Sequence, residues 1–140
     1  MMNLTRNEGG GPDSGNGQRI IVVDDDPDVL FFVKAVFDRG GFEVSCAENG
    51  EQALQLLAQG DYQLMLTDLN MPGMDGIELA RRARTLRPEL TVILATGQSS
   101  TQVRQWAATA GISAVFGKPF TYDKLLKCLR FLRPPSGAGR

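Results

Sequence analysis

Five short apolar runs recur along the chain, and each is followed by a stretch with the period of an amphipathic helix. That rhythm constrains the fold more than any other feature. Strands that alternate with helices are joined by crossovers, and they assemble into a parallel sheet covered on both faces. Arg19-Ile20-Ile21-Val22-Val23 opens the series as a continuous β-branched run, the mark of a strand with no solvent side. Pro27 suits the first turn of a helix carrying Val29, Leu30, Phe32, Val33, Val36 and Phe37, which ends near Gly40-Gly41. Phe42 to Ala47 alternates as an outer strand does, and Glu51 to Gln59 reads as a helix closed by Gly60.

Leu64 to Thr67 forms the third strand. Asp75 with Glu78 resembles a capping box, and the helix it starts runs through Leu79, Ala83 and Leu86 until Pro88 ends it. Thr91 to Ala95 is the fourth strand. Ser99 or Ser100 then caps a helix with Val103, Trp106, Ala107 and Ala110 on one stripe, where Trp106 is expected to pack at the core or its edge. Ala114-Val115-Phe116 is the fifth strand, and Thr121 caps the last helix, with Phe120 and Leu125 placed as a hydrophobic staple. Leu125, Leu129 and Leu132 form its inner stripe. Leu30, Phe31 and Phe32 are consecutive, so one of them is expected at the surface, which leaves room for a homodimer contact.

A chain of 140 residues with 42% hydrophobic content suits one domain with a sizeable core. Residues 1–18, rich in glycine and polar residues, read as a flexible leader, 19–132 as the domain, and 133–140 as a flexible tail. The net charge of −1 offers no field for nucleic acid or an anionic membrane. No apolar run approaches the ~20 residues that cross a bilayer, and the N-terminus lacks a signal-peptide core. A cytoplasmic location is expected. Cys46 and Cys128 lack metal-ligand spacing and are expected as two buried free thiols. The absence of histidine excludes Ser-His-Asp and Cys-His catalysis and any histidine-ligated metal.

In a parallel sheet of this kind, function gathers at the C-terminal ends of the strands. Strand one ends in Asp24-Asp25-Asp26, strand three in Asp68, strand four in Thr96, and strand five is followed by Gly117-Lys118-Pro119. Pro72, Gly73 and Gly76 punctuate the loop after Asp68. Taken singly, each has a structural explanation: Asp26 fits best as a helix cap, Asp68 equally as a turn residue, Thr96 as a β-branched strand residue, Lys118 as a solvated lysine. Their convergence on one sheet edge favours chemistry. Clustered carboxylates repel one another and call for a cation. Every available ligand is an oxygen, so a hard divalent ion such as Mg²⁺ fits. Metal, lysine, hydroxyl and a carboxylate nucleophile together make a phosphoryl-transfer site.

These residues resemble the receiver domain of bacterial two-component response regulators, in a chemotaxis-regulator-like, single-domain form. The resemblance rests on Val22-Val23-Asp24-Asp25-Asp26-Pro27, Thr67 through Gly76, Ala95-Thr96 and Gly117-Lys118-Pro119-Phe120, and it covers about residues 19–132. It implies a five-stranded parallel sheet of order 2-1-3-4-5 with helices on both faces, the flavodoxin-like, doubly wound fold, for which a member of this family is a standard example. It further implies that Asp68 accepts a phosphoryl group from a sensor histidine kinase or phosphotransfer protein. Asp25 and Asp68, with the Asn70 backbone carbonyl, would bind Mg²⁺ directly, and Asp24 would bind through water. Thr96 would bond a phosphoryl oxygen, Lys118 would pair with the phosphate, and the Lys118–Pro119 peptide would be cis. The output would be a changed surface of the fourth helix, fifth strand and fifth helix, read by a downstream protein partner.

One position departs from the family pattern. The switch residue three before the lysine is Val115, not an aromatic, and alternation sends the neighbouring Phe116 to the opposite face. Output coupling is therefore expected to differ. Gly97 and Gln98, which follow Thr96, flank the route by which water reaches an acyl phosphate. On this reading the protein is a stand-alone phospho-acceptor switch and not an enzyme, beyond its own phosphorylation and slow dephosphorylation. Three alternatives compete with it. An aspartyl-phosphate hydrolase of the haloacid dehalogenase type needs Asp-x-Asp-x-Thr, whereas Asp24-x-Asp26 is followed by Asp28. A flavodoxin-like cofactor binder would set three acids against an FMN phosphate. A phosphorylation-independent scaffold would leave Asp68 inert.

Overall fold

The computed structural model describes residues 17–98 and 100–132. Strands β1 (Arg19–Val23), β2 (Glu43–Ala47), β3 (Leu64–Asp68), β4 (Thr91–Thr96) and β5 (Ala114–Gly117) alternate with helices α1 (Pro27–Arg39), α2 (Gly50–Gln59), α3 (Gly76–Leu86), α4 (Thr101–Thr109) and α5 (Tyr122–Cys128). A 3₁₀ turn, Leu129–Phe131, extends α5. All strand pairs are parallel and the sheet order is β2-β1-β3-β4-β5, as the sequence pattern and the resemblance imply. No helix among the described residues is long and apolar enough to cross a membrane. Of the segment read as a leader, residues 1–16 lie outside the described residues. So do the whole of 133–140, read as a tail, and Ser99, one of the two candidate caps. The Gln18 carbonyl oxygen accepts from the Glu43 N–H at 3.0 Å, so the pairing of the first two strands begins one residue before β1.

Side-chain alternation divides the core into two layers. Ile20, Val22, Leu64, Leu66, Ile93 and Ala95 face α1 and α5, where they meet Leu30, Val33, Phe37, Leu125 and Cys128. Ile21, Val23, Met65, Val92 and Leu94 face the other way, onto Ala53, Leu57, Leu79, Ala83, Val103 and Ala107 of α2, α3 and α4. The three inner strands are buried nearly throughout, which explains why they read as apolar runs without alternation. The helices start on side-chain caps from Asp26, Asn49, Asp75, Ser100 and Thr121. Each accepts a backbone N–H that would otherwise have no partner.

Four expectations need correction. Cys46 is exposed and only Cys128 is buried, because outer strand β2 is covered incompletely and Cys46 sits on its open side. Trp106 is 48% exposed. Val103 and Ala107 fill the inner stripe of the short helix α4, and Trp106 lies beside that stripe on the solvent flank. The capping box of α3 is half formed: Asp75 accepts the Glu78 N–H, but the Glu78 carboxylate turns outward to Arg81 and Arg82. At Leu30-Phe31-Phe32 only Leu30 is buried, and Phe31 and Phe32 are both exposed, one more than expected.

Candidate functional site

The site stands at the switch point of the sheet, where β1 neighbours both β2 and β3 and the chain leaves the two central strands in opposite directions. Asp24 follows β1 directly. Its N–H is anchored to the Ala47 carbonyl at 3.1 Å, and one carboxylate oxygen accepts the Asp26 N–H at 2.9 Å. Asp24 is almost fully buried, whereas Asp25 is exposed. Asp68 ends β3, is buried, and is followed by Leu69, whose N–H is held by the Ala95 carbonyl at 2.9 Å. One carboxylate oxygen from each of Asp24, Asp25 and Asp68 lies within 4.8 Å of the others, an oxygen cluster of the type that holds a hard divalent cation.

Lys118 arrives from the loop after β5. Its Nζ donates to Asp24 Oδ2 at 2.8 Å and stands 3.5 Å from Asp68 Oδ1. Its N–H donates to the Thr96 carbonyl at 2.9 Å, and the Lys118–Pro119 peptide is cis. Burial pulls the lysine toward its neutral form, but the bond to Asp24 and the charges of Asp24 and Asp68 outweigh it and raise its pKa. Asp68 is also raised. Burial is the main cause and the Asp24 charge adds to it, with Lys118 opposing both.

The remaining predicted residues occupy the same edge without joining this cluster. Thr96 is buried, and its Oγ1 accepts the Gln98 N–H at 2.9 Å within its own loop. Asn70 lies exposed two residues past Asp68. A cleft of about 310 Å³, lined by Asp25, Glu48, Asn49, Glu51, Gly73 and Met74 among others, opens beside Asp25. Gly97 has open space where a side chain would stand. Val115 and Phe116 point to opposite faces, Val115 to the α2–α3–α4 layer and Phe116 to the α1–α5 layer. Gly76 permits the closest approach behind the site: a Cβ there would strike the Asp68 carbonyl oxygen. Its N–H donates to the Leu69 carbonyl at 2.8 Å. The sequence pattern carries no signal for one further contact. Lys124 of α5 reaches back to the loop that carries Lys118.

Residues 20–130 match the family model of the response regulator receiver domain. The response regulator receiver protein CpdR of Brucella abortus is 35% identical over 103 residues, which cover 74% of this chain and 86% of that one. Sporulation initiation phosphotransferase F of Bacillus subtilis is 30% identical over 117 residues, 84% of this chain and 94% of that one. Among solved structures, a CheY-like receiver domain protein of Methanospirillum hungatei superposes with a TM-score of 0.78 at 32% identity, covering 81% of this chain and 91% of that one. The response regulator TrrA of Thermotoga maritima, solved in complex with Mg(2+)-BeF, superposes with a TM-score of 0.72 at 33% identity, covering 81% and 96%. The family that these matches share is that of phospho-acceptor signalling domains. The chain belongs to the response regulator receiver domain family of two-component systems.

Proposed function

We propose that Asp68 is the phospho-acceptor of this receiver, with Asp24, Asp25, Lys118, Thr96 and the Asn70 carbonyl serving it. The observation that carries this reading is the Lys118 ammonium held between Asp24 and Asp68 at the junction of β1, β3 and β5. A carboxylate oxygen of Asp68 attacks the phosphorus of a phosphohistidine on a sensor kinase or phosphotransfer protein. The O–P bond forms as the P–N bond breaks, and the imidazole nitrogen leaves with the electron pair. Lys118 offers its N–H groups to the phosphoryl oxygens as charge gathers there. Thr96 would turn its hydroxyl hydrogen from the Gln98 carbonyl oxygen to the same oxygens.

The three carboxylates fit Mg²⁺, which receiver domains bind at this acidic edge. Asp25, Asp68 and the Asn70 carbonyl would hold it, with Asp24 acting through water. When bound, the ion neutralises the phosphoryl oxygens. The phosphorylated protein would then act on a downstream protein through the surface formed by α4, β5 and α5, from the cytoplasm. Residues 19–132 are proposed to suffice for this.

The test is to incubate the protein with Mg²⁺ and acetyl phosphate and to follow intact mass. Wild type should gain one phosphoryl group with the lability of an acyl phosphate, and Asp68→Asn should gain none. Equal labelling of the two proteins would move the acceptor elsewhere. Steady turnover of phosphate esters would instead make this a hydrolase.

A further inference from the structure

Lys124, half-buried near the start of α5, makes no ion pair with an acidic side chain among the described residues. Its Nζ donates instead to the Gly117 carbonyl oxygen at 2.8 Å and to the Pro119 carbonyl oxygen at 3.2 Å. Those two carbonyls bracket Lys118. The Lys118 main chain is held from the other side by β4, since its N–H donates to the Thr96 carbonyl. The segment carrying the site lysine is therefore tied at three main-chain polar groups on two peptide units, two of them by one ammonium.

A solvated lysine loses rotamer freedom when it is held in this way, so the contact must return something to the fold or to the site. Hydrogen bonds from a charged donor are the strong kind and are directional. Here both go to a loop whose one apolar anchor is Phe120, half-buried against the α1–α5 layer, while Pro119 is exposed and Gly117 has no side chain. What the loop does carry is the Lys118 side chain, whose Nζ must stay near the Asp68 carboxylate.

We propose that Lys124 is a positioning residue for phosphoryl transfer. By clamping the Gly117 and Pro119 carbonyls, it fixes the β5–α5 loop so that the Lys118 ammonium stays directed at Asp68. The inference rests on the reading of Asp68 as the acceptor. It also connects α5 to the site through one side chain, so a displacement of α5 reaches Lys118 without passing through the core.

The experiment measures beryllofluoride affinity at saturating Mg²⁺ by calorimetry, together with Mg²⁺ affinity alone, for wild type, Lys124→Met, Lys124→Arg and Asp68→Asn. Methionine keeps the unbranched stem and removes the donor, whereas arginine restores a donor. Lys124→Met should weaken beryllofluoride binding by about tenfold, the scale of one charge-assisted hydrogen bond. Its Mg²⁺ affinity should not fall, because the carboxylates are untouched, and Lys124→Arg should recover most of the loss. The inference is overturned if Lys124→Met binds beryllofluoride as wild type does, if both affinities fall together as general loosening would cause, or if arginine gives no recovery. Asp68→Asn separates the two readings. If that variant binds beryllofluoride normally, the acceptor assignment falls and the role of Lys124 falls with it. If it fails to bind while Lys124→Met is silent, only the role of Lys124 is lost.

Discussion

Asp68 carries a charge that its surroundings oppose, since burial and the neighbouring Asp24 both favour its protonated form. A carboxyl raised in this way binds more protons in the folded chain than in the unfolded one, so ionising it costs stability as pH rises through the shifted value. Without divalent ions, Asp68→Asn should therefore raise the urea midpoint at pH 7. Mg²⁺ should stabilise wild type and leave the Asn variant nearly unchanged. A lower midpoint for the variant would mean that the lost Lys118 contact outweighs the relieved repulsion. The thiols differ in the same physical terms. Burial raises both thiols, and it pushes the buried Cys128 up to about 12, whereas Cys46 is exposed to reagent. One thiol per native chain should thus react with a disulfide reagent, and both should react in denaturant. The folded chain keeps the Cys128 proton above about pH 8.5, where an unfolded thiol releases it, so stability falls as pH rises from there. Between pH 8 and 10, wild type should lose about 2 kcal/mol more than Cys128→Val, read from paired urea curves.

At the scale of elements, each strand end delivers its residue because the following helix or loop is pinned nearby. Gly76 shows how tightly. As the first residue of α3 it lets the helix start against the Asp68 carbonyl, and it leaves Leu94 Cδ1 only 2.9 Å from where a Cβ would stand. Gly76→Ala has backbone on one side and cannot relax by turning a side chain. It should destabilise the fold by about 3 kcal/mol and lower Mg²⁺ affinity with it. A tolerated alanine would show that α3 is free to slide. The elements themselves were legible because β-branched runs, helical stripes and caps such as Ser100 and Thr121 all act over a few residues. Local patterns also placed Asp24, Asp68, Thr96 and Lys118 at one edge. They did not place Trp106, because a stripe at positions 103, 106, 107 and 110 spans an arc wider than short α4 can bury. Nor did they expose Cys46, because how far an edge strand is covered depends on helices distant in sequence. The reach of Lys124 to Gly117 and Pro119 is a property of the folded loop, with no periodic trace.

At the scale of the molecule, β5 lies between two layers that never mix. Val115 packs with the layer that contains α4, and Phe116 with the layer that contains α5, where its ring meets Phe131 edge-on at 6.4 Å. A small β-branched side chain cannot exchange between an inward and an outward rotamer as an aromatic ring does. Any signal from the proposed acceptor to α4 must therefore travel by a shift of backbone and loop, with Val115 as a packing stop. Trp106, the single tryptophan, stands half-exposed on α4 and reports such a shift by its emission. Beryllofluoride with Mg²⁺ should change that emission in wild type. Phe116→Ala should cost about 2 kcal/mol of stability, since the ring is partly buried and loses its partner on the 3₁₀ turn, yet it should keep the emission change. Val115→Ala should cost less stability and diminish the change, because it removes the contact on the α4 side. The opposite result, loss of the response in Phe116→Ala alone, would place the signal on the α1–α5 side of the sheet and assign the switch to the ring next to the family's usual position.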